Sequence, residues 1–192
     1  MTRRDTRGRR SGRNPFGALL AVVTLGVAAL LTGCASSGGT VPGCTVPLRL
    51  AIVAQSVPSA SYLPCIRELQ PGWTTSGFAP SQDGTSFLLN SDRSPGEPVT
   101  VQLTTACRIS GASPSPARAP GVLTYLGLDS IRPRFTGRMY DVFPGGCVTY
   151  TFDFSHGSQI ALMEQFKAAV DLYPRQQLRL VLKQELGVEL NP

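Results

Sequence analysis

Residues 137–154, GRMYDVFPGGCVTYTFDF, carry the clearest fold signal in the chain. Two runs rich in aromatic and β-branched residues flank Pro144-Gly145-Gly146, and this combination predicts a β-hairpin. In the second run the apolar side chains alternate along the sequence: Val148, Tyr150, Phe152 and Phe154. Since successive strand residues point to opposite faces, the alternation predicts one buried face and places Cys147 on the other, unless the two glycines form a bulge.

The residues before this hairpin predict more strands. Residues 73–79, 86–90 and 98–107 are separated by turn formers, which indicates a three-strand antiparallel meander. Residues 48–53 form a short apolar run typical of a buried strand. A surface loop is predicted from 110 to 121, and a short helical or irregular piece from 122 to 131.

Three helices complete the predicted fold. Residues 61–69 place apolar side chains on one helical face, with Pro64 tolerated in the first turn. After the hairpin, 158–173 and 174–186 each carry an apolar stripe, the second with a proline at its first position and Gly187 as its stop. The expected class is an α+β domain, with an antiparallel sheet of about five strands packed by one N-terminal and two C-terminal helices.

The charge of the chain is concentrated at its beginning. The chain has 18 Lys plus Arg and 12 Asp plus Glu, but six of the basic residues and only one acid lie within residues 1–13. The remainder is therefore nearly neutral. Without a basic stripe interleaved with aromatics, the sequence argues against nucleic acid as a partner.

The basic start is followed by an apolar run over residues 16–31, in the order typical of a secretory signal. The run ends in Leu31-Thr32-Gly33-Cys34, which resembles the lipobox of bacterial lipoproteins. The resemblance implies cleavage before Cys34 and attachment of a diacylglyceryl group to its sulfur. The chain would then be lipid-anchored to the extracytoplasmic face of the cell membrane.

The expected organisation follows from this anchor. It comprises a signal peptide over 1–33, a flexible tether over 34–43 and a single extracytoplasmic α+β domain over 44–192. The alternative is an uncleaved membrane helix over 16–33, which is near the roughly 20 residues needed to span a bilayer. Both alternatives put the domain outside the cell, with the membrane contacted through the N-terminal lipid or helix.

Four cysteines remain when Cys34 is assigned to lipid: Cys44, Cys65, Cys107 and Cys147. An even number in an exported chain predicts two disulfides, for which three pairings are possible. Cys65 and Cys107 both fall on predicted core faces, so the pattern favours Cys65–Cys107 and Cys44–Cys147. The spacing contains no C-x-x-C pair and the chain has one histidine, so neither a metal site nor a cofactor is expected.

The single histidine, His156, is the one candidate for catalysis. It lies between a predicted strand and a predicted helix, where an imidazole could act as a general base with Asp153 or Asp141 as its orienting acid. This would make the protein an extracytoplasmic hydrolase with a dispersed site. However, the flanking serine and glycine are equally typical of a turn and helix cap, and no G-x-S-x-G elbow is present. A non-enzymatic module that binds an envelope protein or polymer is therefore the first expectation.

Four short stretches carry a second resemblance: residues 54–60, 63–65, 71–73 and 143–148, which include AQSVPSA and FPGGCV. They are similar to segments of a group of uncharacterised bacterial envelope proteins, over residues 50 to 155. The resemblance supports the expected fold only and implies no activity.

Overall fold

The structure is a computed structural model, and it describes residues 40–156 and 158–190. Nine strands are present in this part of the chain: β1 (Tyr62–Ile66), β2 (Trp73–Ser81), β3 (Gly84–Ser91), β4 (Ser94–Thr104), β5 (Ser113–Ser115), β6 (Leu123–Ser130), β7 (Phe135–Phe143), β8 (Gly146–Phe154) and β9 (Val170–Pro174). The helices are α1 (Pro47–Ser56), α2 (Gln159–Ala169) and α3 (Arg175–Val181), the last continued by one π-helical turn, Leu182–Leu186. Cys34 and the apolar run 16–31 lie outside the described residues.

Seven of the strands form one antiparallel sheet in the order β2-β3-β4-β8-β7-β6-β5. The predicted meander supplies β2, β3 and β4, and the predicted hairpin supplies β7 and β8, so both predictions are confirmed. The two groups join where β4 pairs with β8, with Val101 opposite Tyr150 and Leu103 opposite Val148. The remaining strands, β1 and β9, pair with each other in a separate two-stranded sheet.

The core lies between the large sheet and the helices. Tyr150, Phe152 and Phe154 of β8 are at most 1 % exposed, as the alternation predicts. The Phe166 ring of α2 packs on all three, with ring centroids 5.9 to 6.4 Å apart. Burial of these large rings removes a large apolar area from water.

The expected fold class is wrong in its strand number and in the positions of its elements. Nine strands replace the expected five or so, and the predicted N-terminal helix over 61–69 is instead β1, which is buried along nearly its whole length. Residues 48–53 belong to helix α1 rather than to a strand. Leu48 and Ile52 are exposed, so the outer face of α1 is apolar as well as the inner face. The sequence therefore shows no alternation of apolar and polar residues at the helical period.

Three further predicted elements differ in the structure. The helix predicted over 158–173 ends at Ala169, because β9 pairs with β1 from Val170 onward. The whole of β6 lies within residues 122–131, and the predicted loop 110–121 contains the short strand β5. In each case pairing with another strand overrides the local pattern, and for β9 that strand, β1, is distant in the sequence.

Two disulfides are present, but the pairing predicted from the sequence is wrong. Cys44 pairs with Cys65 and Cys107 with Cys147, across Cα separations of 5.0 and 5.7 Å. The Cys44 amide donates to Ile66 O, which brings Cys44 beside Cys65. Strand β4 ends at Thr104, which pairs with Cys147. Cys107 lies beyond this end, so the alternation of side chains along the strand does not extend to it.

None of the helices in the described residues combines the length and the apolar character that a membrane span requires.

Candidate binding cleft

An open cleft of about 640 Å³ lies between the segment after α1 and the start of α3. We call it the arginine cleft. It is lined by Pro58, Ser59, Ala60, Ser61, Tyr62, Pro174, Arg175, Gln176 and Arg179. Concave surfaces of this size with a few converging polar groups are typical of ligand sites.

One wall of the arginine cleft is held by the β7–β8 turn. The Ser59 hydroxyl donates to Gly145 O at 2.6 Å, and the Ser61 amide donates to Pro144 O at 3.0 Å. Gly145 has φ +74°, and a Cβ there would lie 1.8 Å from Ser59 O, so the close approach requires glycine. Two of the stretches that resemble envelope proteins, 54–60 and 143–148, therefore meet at this wall.

The other wall is the junction of β9 with α3. Pro174 pairs with Tyr62 across the small sheet, and the Arg175 amide donates to Ser61 O at 2.9 Å. The Arg175 side chain turns back to α1, where its Nη1 donates to Ala54 O at 2.8 Å. A guanidinium at the end of α1 bonds carbonyl groups that lack helical partners. Arg175 thus ties α1, β9 and α3 together beside the cleft.

The arginine cleft is electropositive. Arg179 lies one helical turn after Arg175 and is exposed, and none of the lining residues is acidic. The pKa of Arg175 is lowered, first by its partial burial and then by the positive charge of Arg179. Among residues 40–156 and 158–190, Arg179 has no carboxylate in ion-pair distance.

Hydroxyl groups complete the polar lining. The Ser61 Oγ is buried without a hydrogen-bond partner in the described chain, whereas the Tyr62 hydroxyl donates to Pro120 O at 2.7 Å. Guanidinium donors such as that of the exposed Arg179 suit a phosphate or carboxylate oxygen. The arrangement can therefore bind an anion, and its lining contains no His, Cys, Lys, Asp or Glu side chain.

A second polar cluster is buried beneath α2. The Asp141 carboxylate, which is fully buried, accepts from Arg118 Nη1 at 3.0 Å and from the Thr124 hydroxyl at 2.7 Å. Arg118 Nη2 also donates to Lys167 O at 2.7 Å and to Val170 O. Arg118 therefore joins the loop before β6, strand β7 and the α2–β9 junction, which is a structural role.

Tyr150 lies against this cluster. Its ring stands 5.2 Å from the Arg118 guanidinium carbon, and its hydroxyl is buried without meeting hydrogen-bond geometry to any described group. Burial raises the pKa of Tyr150 well above its ordinary value, although the Arg118 charge opposes this. The pKa of Arg118 is raised, because its contacts with Tyr150 and Asp141 outweigh the cost of burial.

The residues of the sequence-based hydrolase hypothesis are not brought together in the described structure. His156 is exposed, and its hydrogen bonding there is to the adjacent Ser155 hydroxyl at 2.6 Å. Asp153 is bound through both carboxylate oxygens by Arg134, at 2.9 and 2.7 Å. Asp141 is bound by Arg118. Each candidate acid thus has an arginine partner instead of the imidazole.

Sequence reasoning missed the residues of the arginine cleft. The available signal was the pair Arg175 and Arg179, four positions apart on the helix predicted over 174–186 and therefore on one face. Their proximity to Ser59 and Ser61 depends on the β1–β9 pairing, which the sequence did not predict. The described residues contain no cluster of three or more His, Cys, Asp or Glu side chains that could hold a metal ion.

No protein-family model, curated protein or solved structure matches this chain.

Proposed function

We propose that this protein is an extracytoplasmic lipoprotein that acts as a non-enzymatic binding module of the cell envelope. Its ligand is an envelope polymer that carries phosphate or carboxylate groups, bound in the arginine cleft. The carrying observation is the pair Arg175 and Arg179 in a cleft whose lining contains no acidic residue. The exposed Arg179 can give an anionic group charge-assisted hydrogen bonds, and Arg175, which is held by α1, adds positive charge beside it.

A polymer fits the cleft better than a compact metabolite. The cleft is open, and its arginines are accompanied along the surface by hydroxyl and amide groups of Ser59, Tyr62 and Gln176. These groups suit repeating sugar or polyol units, since each unit can place a hydroxyl beside them. Binding over an open surface requires no enclosure of the ligand.

A non-enzymatic role is supported by the way the candidate catalytic groups are used. Asp141 and Asp153 are both neutralised by arginines, and the hydrogen bond that His156 makes within the described chain is to Ser155. A general base needs a partner that orients it within hydrogen-bond reach.

The envelope location is supported by the cysteines. Two disulfides in the described domain are typical of an oxidising compartment. Together with the resemblance of residues 31–34 to a lipobox, this favours export and anchoring through Cys34.

Binding of a fluorescent poly(glycerol phosphate) to the purified protein tests the proposal, with uncharged dextran as the neutral probe. Arg179→Gln should weaken binding about tenfold or more, the equivalent of the 1.5–3 kcal/mol typical of a charged hydrogen bond. The matched control is Arg138→Gln, which makes the same charge change on the exposed side of β7, away from the cleft.

The control should leave the affinity within about twofold. Equal weakening by the two substitutions would identify non-specific attraction to positive charge. Equal affinity for dextran, or no effect of Arg179→Gln, would contradict an anion site in the arginine cleft.

A further inference from the structure

Helix α1 exposes an apolar face to solvent. Leu48 and Ile52, one helical turn apart, are 60 % and 39 % exposed, and Val46 just before the helix is 44 % exposed. The opposite face packs into the core through Leu50 and Val53, which are at most 1 % exposed. Scattered exposed apolar residues are common, but a row on one helical turn at a defined place in the fold indicates an interaction surface.

Basic residues lie on α1 and on helix α3, which is bonded to it. The sequence of α1, PLRLAIVAQS, contains Arg49 and no acidic residue. Helix α3 is tied to α1 by the Arg175 hydrogen bond to Ala54 O and exposes Arg179 together with Leu180, which is 55 % exposed. Apolar side chains accompanied by arginines are typical of helices that lie in the interface of an anionic bilayer.

The position of α1 along the chain favours the same partner. Cys44 is covalently fixed to the domain by its disulfide with Cys65, and α1 begins at Pro47. Residues 34–43 extend at most about 35 Å even if fully stretched. A lipid on Cys34 therefore keeps α1 at a high effective concentration next to the bilayer, so that even a weak affinity is sufficient for docking.

We propose that the exposed face of α1, formed by Val46, Leu48 and Ile52, docks onto the anionic bilayer leaflet that holds the lipid anchor. This inference rests on the anchoring at Cys34 in the proposed function. Docking orients the domain instead of leaving it to rotate on its tether, and it brings α3 and the arginine cleft beside the membrane surface.

Photolabelling from within the bilayer tests the docking. The full protein, as the cell produces it, is reconstituted into vesicles of phosphatidylcholine and phosphatidylglycerol that contain a phospholipid with a diazirine on its acyl chain. After irradiation, reduction and trypsin digestion, peptide 50–67, which contains Ile52, is compared with peptide 139–167, which contains Ile160. Ile160 is 72 % exposed on α2 and serves as the matched apolar control.

Peptide 50–67 should be labelled about fivefold more than peptide 139–167. The double variant Leu48→Gln, Ile52→Gln should lose most of that labelling, whereas Ile160→Gln should not change it. Both variants alter exposed side chains, so circular dichroism should show an unchanged fold. Equal labelling of the two peptides, or no effect of the double variant, would overturn the docking.

Anchoring is tested separately in the same digest. An acyl mass on peptide 34–49 without labelling of 50–67 would refute the docking and leave the anchor in place. Labelling of 50–67 in protein without that mass would support the docking and refute the anchor. Absence of both would refute both.

Discussion

Replacing Arg118 by Met should remove a large part of the stability of the domain. Asp141 is fully buried, and Arg118, whose side chain is 14 % exposed, supplies its charged partner. The substitution leaves a buried carboxylate with the Thr124 hydroxyl as its remaining donor in the described structure. Removing one member of a buried ion pair costs about 3–5 kcal/mol.

Further losses come from the backbone groups that Arg118 serves. Its Nη2 donates to the carbonyls of Lys167 and Val170, where α2 ends and β9 begins. These carbonyls gain access to water when the longer side chain is removed. Losing their hydrogen bonds to Arg118 therefore costs less than the 1–3 kcal/mol, roughly, of a polar group that stays fully buried without a partner. We therefore expect the free energy of unfolding to fall by about 4 kcal/mol, against a typical total of about 5–15 kcal/mol.

Urea unfolding of the disulfide-intact protein, followed by circular dichroism, measures this loss. A double variant, Arg118→Met with Asp141→Asn, provides the control, because it removes the buried charge together with its partner. The double variant should recover about 2 kcal/mol relative to the sum of the single variants. A loss below about 1 kcal/mol for Arg118→Met, or strictly additive effects, would refute the structural role assigned to Arg118.

Three other outcomes follow from the structure. Peptide mapping without reduction should join peptide 34–49 to peptide 50–67; a link from 50–67 to any other cysteine peptide would contradict the observed pairing. Gly145→Ala should lower the free energy of unfolding by about 2 kcal/mol or more, because the added Cβ would clash with the backbone of Ser59. Gly121→Ala, at a similar φ of +72° but with open space around it, should lower it by only about 1–2 kcal/mol. Thermal melts of the two variants measure the difference. Since burial raises the pKa of Tyr150, the unfolded state releases this proton first as pH rises above about 10, and stability should fall there. Tyr150→Phe should reduce that fall in unfolding experiments at alkaline pH, and an identical pH dependence in both proteins would contradict it.

Local sequence patterns predicted the elements whose partners are near in the chain. The hairpin of β7 and β8 and the meander of β2, β3 and β4 are joined by short turns, so alternation and turn residues suffice to predict them. The helix that starts after Pro174 follows equally from its proline and its apolar spacing. The presence of two disulfides was predicted from the even cysteine count and the expectation that the chain is exported.

Only the tertiary structure decided the elements whose environment comes from distant residues. Strand β1 is buried because β9, more than 100 residues later in the chain, pairs with it. Helix α1 was not predicted because its outer face is apolar as well, so that its sequence lacks the helical period. The Cys44–Cys65 pairing depends on the contact between Cys44 and Ile66, and the arginine cleft depends on the β1–β9 pairing, which brings Arg175 beside Ser61. A sequence pattern reports the period of a segment along the chain, whereas burial, pairing and shared sites depend on which segments meet in space.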